Sequence, residues 1–266
     1  MASIIVPHGI DRSGDAPVVA KVFGLYARVA MEDNTKLLWI VDRLLERYGV
    51  PAIQQTNPIE ELVLTILSQN TTDTNRDRAY ESLMSRFASL EDVRSASLED
   101  VASAIQIGGL QQQKARSIQA ALDRIHATRG GLDLGFLSDL SLQEALRWLL
   151  ELPGVGPKTA GIVLLFSFDR PVFPADTHIR RVMHRIGLVP ERGDPHPKLN
   201  NLLPADPILM QHLHVLTIRL GREICHPRKP RCGVCPLQAE CSWSRDHGVE
   251  HEDGVTSPQH TGGSDP

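Results

Sequence analysis

From residue 34 onward, apolar residues recur at the three- and four-residue spacing of buried helix faces, and strand-like alternation is nearly absent. That single pattern restricts the chain to an all-α fold. Asn34-Thr35 can cap a helix carrying Leu37, Leu38, Ile40, Val41, Leu44 and Leu45, which Gly49 and Pro51 end. Asn57-Pro58 with Glu60 and Glu61 opens the next, since proline fits the first helical position and acids suit the first turn. Further helices are expected over 74–87, 111–127, 141–150, 158–168, 177–186 and 207–220. Ser89 and Ser97 each head a Leu-Glu-Asp-Val tetrapeptide, twin short helices with serine N-caps. Ser141 and Glu144 stand at capping-box spacing.

The chain has 266 residues, enough for one to two domains with sizeable cores. No apolar run, including Ile162 to Phe166, approaches the length of a membrane span. The first eight residues lack the basic and apolar regions of a secretory signal, so a cytoplasmic location is expected, nucleoid-associated in a bacterial or archaeal cell. Net charge is −4. All of that excess lies in residues 244–266, a Gly-, Ser- and Pro-rich acidic stretch expected to be a disordered tail. Residues 1–33 show no clear period and read as an irregular extension. Within the neutral body, Arg219, Arg222, Arg228, Lys229 and Arg231 crowd one stretch, a charge pattern compatible both with nucleic-acid binding and with a solvated face.

All four cysteines, Cys225, Cys232, Cys235 and Cys241, fall in the pattern C-x6-C-x2-C-x5-C. Disulfides are disfavoured in a reducing compartment and unnecessary for a core of this size. Zinc would be satisfied by four thiolates, but its ribbons usually present two C-x2-C knuckles and this chain has one. A larger four-iron cluster suits the uneven loops better, so the spacing favours iron–sulfur over zinc.

Leu152-Pro-Gly-Val-Gly-Pro-Lys-Thr-Ala160 breaks one helix and starts another. Gly154, Val155, Gly156 and Thr159 belong to a turn whose unblocked amides can hold a phosphate, although a plain helical corner would use the same glycines and prolines. The corner alone does not require Lys158, a cation at the positive end of a helix. An unperturbed lysine has a pKa near ~10.4, so about one molecule in a few thousand is a free amine at neutral pH. Burial would raise that fraction and make a Schiff-base nucleophile, while DNA phosphates would oppose it. Asp176, in Pro174-Ala-Asp-Thr-His-Ile-Arg-Arg181, precedes a periodic helix, where an N-cap is the ordinary role. A carboxylate there could also stabilise a cationic sugar or take a proton. His178 and Arg181 follow as candidate phosphate contacts.

The hairpin turn, Asp176 in its D-T-H context and the cysteine loop, in that order, resemble endonuclease III, a family of the helix–hairpin–helix/Gly-Pro-Asp superfamily of DNA base-excision glycosylases. The resemblance covers roughly residues 35 to 243. It implies two helical lobes flanking a DNA-binding cleft: a six-helix barrel over 57–171 that contains the hairpin, and a discontinuous 4Fe–4S cluster lobe over 34–56 and 172–243. Lys158 then resembles the nucleophile and Asp176 the catalytic aspartate, and the four cysteines would hold the cluster. Leu67 to Asp73 matches the segment that fills the gap left by a flipped base, through Gln69 and Asn70, where the family often has Gln at the position of Asn70. Leu110 and Gln111 match the loop that wedges into the base stack, and the cluster loop would present Arg228 and Lys229 to phosphates.

The implied activity is removal of oxidised pyrimidines from double-stranded DNA with cleavage of the resulting abasic site, by a protein expected to act as a monomer without membrane attachment. Two alternatives are a uracil or mismatched-thymine glycosylase with weak lyase activity, and a non-catalytic DNA-binding iron–sulfur protein. The presence of Lys158 and the lack of an extra C-terminal recognition domain argue against adenine removal.

Overall fold

The computed structural model describes residues 35–247, and every regular element among them is helical. The helices run α1 (Thr35–Tyr48), α2 (Pro58–Leu67), α3 (Asp73–Arg86), α4 (Leu90–Ser95), α5 (Leu98–Ala104), α6 (Gln111–Arg129), α7 (Leu142–Leu150), α8 (Pro157–Phe168), α9 (Thr177–Arg185), α10 (His196–Leu202), α11 (Pro207–Glu223) and α12 (Ser242–Asp246). Their starts follow local chemistry. The Asn57 carbonyl accepts from the amides of Ile59 and Glu60, and Ser89 and Ser97 cap α4 and α5. Ser141 and Glu144 close a full capping box on α7.

Two apolar cores result. The first is enclosed by α2 to α7 and includes Leu62, Ile66, Ile105, Ile118, Leu122 and Leu149. The second joins α1, α9 and α11 through Ile40, Leu44, Ile179, Met183, Leu213 and Leu216. α8 serves both: Ala160, Val163 and Leu164 enter the first core, while Ile162, Leu165 and Phe166 enter the second. A helix apolar on every side must be buried on every side. The first core draws on residues 59–172 and the second on 37–48 and 162–237, so the two overlap along α8, and Val172 belongs to the first.

One expectation at the chain ends needs adjustment. Ser242–Asp246 is helical and Ser244 is buried, so the expected tail does not begin at residue 244. The rest of that tail and the extension expected over 1–33 lie outside the described residues. No described helix is long and apolar enough to cross a membrane.

Candidate active site in the cleft between two cores

The turn between α7 and α8 is dictated by its glycines. Gly154 has φ +77°, and a Cβ there would stand 2.5 Å from the Ser117 Oγ. Gly156 is the N-cap of α8 and has no side chain to close it, so the first amides of the helix, among them those of Lys158 and Thr159, have no capping side chain. Two residues expected at DNA are turned inward. Val155 is buried, and its amide is spent on the Leu152 carbonyl at 3.1 Å. Thr159 is buried as well and can offer a phosphate only its backbone.

Lys158, at the second position of α8, opens into a cleft of about 670 Å³ whose other wall contains Asp176. Burial pushes the lysine pKa down. Asp176 and Asp73 work against that by favouring the ammonium, and Arg76 and Arg222 reinforce it. The direction that the sequence left open is thus downward, toward the free amine. Asp176 does act as the N-cap of α9, its Oδ1 accepting from the Ile179 amide at 2.8 Å. A carboxylate has a second oxygen, so capping and facing the cleft are compatible.

The segment leading to Asp176 is held from two sides. The Phe173 amide donates to the Asn200 Oδ1 at 2.7 Å, and the Ala175 amide to the His196 Nε2 at 3.1 Å. His196 in turn pairs with Asp194. Buried His214 contacts the Pro174 carbonyl through Nδ1 at 3.0 Å; burial pushes its pKa down to about 4, so it is neutral. Neither α10 nor His214 carried a motif that would have marked it in the sequence.

The two loops expected to probe DNA share an unusual backbone. Asn70 and Leu110 both adopt left-handed φ, +51° and +50°, and Leu110 is 49% exposed. Gln111 is exposed beside it at the start of α6. Gln69 donates to the Gly154 carbonyl at 3.2 Å, linking its loop to the hairpin.

His178 borders the cleft, half-buried, with burial lowering its pKa. Arg181 does not fit its expected place at DNA. Its Nε donates to the Cys225 carbonyl at 2.8 Å and its Nη2 to the Gly221 carbonyl at 2.7 Å, which ties α9 to the cysteine loop. Arg228 and Lys229 are exposed on that loop. Arg222, noted in the sequence only as part of a basic stripe, bridges to Asp73 across the cleft.

All four cysteines are half-buried, and none is joined in a disulfide. Burial pushes the Cys235 thiol up to about 12, and the other three thiols push the same way. A positive centre bound there would hold its cysteine ligands as thiolates. Among the described residues no three His, Cys, Asp or Glu side chains are grouped to hold a single metal ion. A four-iron cluster takes four thiolate ligands, one per iron. The donor set fits that cluster, and the Arg185 guanidinium, 3.3 Å from the Cys225 Sγ, adds positive charge beside it.

Residues 63–203 match the model of the HhH-GPD superfamily of base excision DNA repair proteins, more than half of the chain. Residues 225–241 match the iron-sulfur binding domain of endonuclease III. Over 197 residues the chain is 36% identical to endonuclease III of Thermotoga maritima, spanning 73% of this chain and 87% of that one. The chain belongs to the endonuclease III family. Endonuclease III of Rickettsia conorii is 32% identical over 230 residues, spanning 86% and 97% of the two chains. A solved non-covalent endonuclease III–DNA complex shares the fold with a TM-score of 0.68 at 24% identity, covering 83% of this chain and all of that one. As an endonuclease III family member, the protein carries a 4Fe–4S cluster, and it is a DNA glycosylase of base-excision repair.

Proposed function

We propose that this glycosylase removes oxidised pyrimidines from duplex DNA and then cleaves the abasic strand, with Lys158 as nucleophile and Asp176 as its partner. One observation supports this above the others: an amine with a lowered pKa and a carboxylate line the same cleft. A base in the stack is out of reach, so the nucleotide is extruded, at least cost for a damaged pair. Leu110 and Asn70 would occupy the space it leaves. The hairpin amides, Arg228 and Lys229 would hold phosphates.

In the reaction, the Lys158 amine attacks the sugar C1′ as the C1′–N bond breaks, and the departing base takes the electron pair and, by way of Asp176, the proton that Nζ gives up. Ring opening then gives the imine. Transfer of a C2′ proton to water breaks the C3′–O bond and releases the strand on the 3′ side with its 5′ phosphate. Water hydrolyses the imine and restores the amine. The cluster supplies no bond-breaking step; when bound it organises the loop that carries Arg228 and Lys229. The reading includes a monomer working in the reducing cytoplasm, where thiols persist.

Borohydride should trap a covalent adduct on duplexes containing an oxidised pyrimidine, and Lys158→Ala should abolish it. Trapping that survives this change removes Lys158 from the mechanism. Base release confined to uracil or mismatched thymine, without strand cleavage, would replace the oxidised-pyrimidine reading.

A further inference from the structure

Lys114, in α6, is the buried lysine that this chemistry leaves without a role; 2% of its surface is exposed. Its ammonium donates at 2.7 Å to the Leu67 carbonyl and at 2.7 Å to the Gly108 carbonyl. Leu67 is the last residue of α2, and the loop it begins carries Gln69 and Asn70. Gly108 closes a short 3-10 turn, followed by Gly109 at φ +70° and Leu110 at φ +50°. One nitrogen therefore joins the roots of the two loops that carry the exposed Asn70 and Leu110.

The fold alone does not require a charge there. Two carbonyl dipoles are its hydrogen-bond partners, and burial lowers its pKa. Methionine has nearly the same reach and would spare the desolvation cost of the charge, but it would leave both carbonyls unpaired and so cut the link between the two loops. The contact is also tight on the turn side: a Cβ on Gly108 would lie 3.2 Å from the Ala79 Cβ and 3.8 Å from the Lys114 Nζ. The turn is thus pressed between α3 and the ammonium.

We infer that Lys114 is a positioning residue that yokes the Asn70 and Leu110 loops, so that they enter the duplex as one rigid unit when the nucleotide is extruded. Gln69, bonded to the Gly154 carbonyl, extends the same coupling to the hairpin. This inference rests on the extrusion step of the proposed function. It concerns how the DNA is opened, not how the sugar is attacked.

The test compares Lys114→Met with the unaltered protein on two substrates. One is a duplex with a single oxidised pyrimidine opposite 2-aminopurine, read by single-turnover excision and by fluorescence. The other is a single-stranded abasic oligonucleotide, which needs no gap filled, read by borohydride trapping. Duplex excision should fall by about tenfold or more, a change of about 1.4 kcal/mol in the barrier. The fluorescence rise should shrink, and single-stranded trapping should stay within about twofold of the unaltered protein. Duplex excision within about twofold overturns the yoke, and so does an equal loss on both substrates. If Lys114→Met does not fold, Lys114→Gln, with two donors on a shorter arm, carries the same comparison. Failure of the unaltered protein to trap single-stranded abasic DNA counts against the proposed lyase, and the duplex excision and fluorescence arms still decide the yoke.

Discussion

Arg222 reaches from α11 across the mouth of the cleft and grips Asp73, at the start of α3, through both terminal guanidinium nitrogens, at 2.5 and 3.0 Å. The pair joins the two walls beside Lys158, and its members act on that amine with opposite sign. Their side chains are 39% and 35% exposed, so the pair adds only ~0–1 kcal/mol to stability. Its effect belongs to the lysine.

Asp73→Asn removes a charge that favours the ammonium and unmasks Arg222, which disfavours it. The Lys158 pKa then falls, more free amine is present at a given pH, and the acid limb of the trapping rate moves to lower pH. Arg222→Gln does the reverse and moves that limb to higher pH. Single-turnover trapping across a pH series measures both, and shifts in the same direction contradict the assignment.

The double role of Asp176 can be separated. Asparagine caps helices about as well as aspartate, so Asp176→Asn should leave the melting temperature nearly unchanged. It loses the proton acceptor, and excision should fall by about 10²-fold or more. Asp176→Ala loses the cap as well and costs a further ~1 kcal/mol in denaturant titration.

The hairpin glycines should respond differently. Gly154→Ala combines a positive φ with a collision against Ser117 and should destabilise by about 2 kcal/mol or more. At Gly156 φ is −104° and an added Cβ meets nothing within 4 Å, so alanine there should leave stability near the original. The methyl would stand where a phosphate approaches the bare amides, and DNA affinity should drop. Denaturation and DNA titration on the same two variants test the contrast.

Between Cys225 and Cys241 only Leu237 is a buried apolar anchor, so the segment depends on its cluster for order. Cys232→Ser should remove the visible iron–sulfur absorption and expose the segment to protease while the helical signal of the first core persists. DNA binding should weaken and become less salt-dependent as Arg228 and Lys229 lose their places. Undiminished visible absorption in the variant would exclude Cys232 as a ligand.

The helices were legible because their signals are local: Asn57, Ser89, Ser97 and Ser141 each bond an amide two or three residues away. So were Lys158, Asp176 and the cysteines, whose types and spacing carry chemistry. Distant backbone partners were not legible. Arg181 looks like a phosphate ligand until its carbonyls, forty or more residues away, are seen. α10 has Leu199 as its one buried residue, and its purpose lies in His196 and Asn200 bonding a segment more than twenty residues earlier. Lys114 reads as an ordinary polar residue of an amphipathic helix, since nothing in its neighbours announces two carbonyls above it.

Because α8 lends side chains to both cores, neither half can come apart while the other stays intact. Heating the protein should unfold the helices of both cores in one shared transition, not in two separate steps. The nucleophile sits on the beam that both halves share, so damage to the interior of either one is felt at the reacting amine.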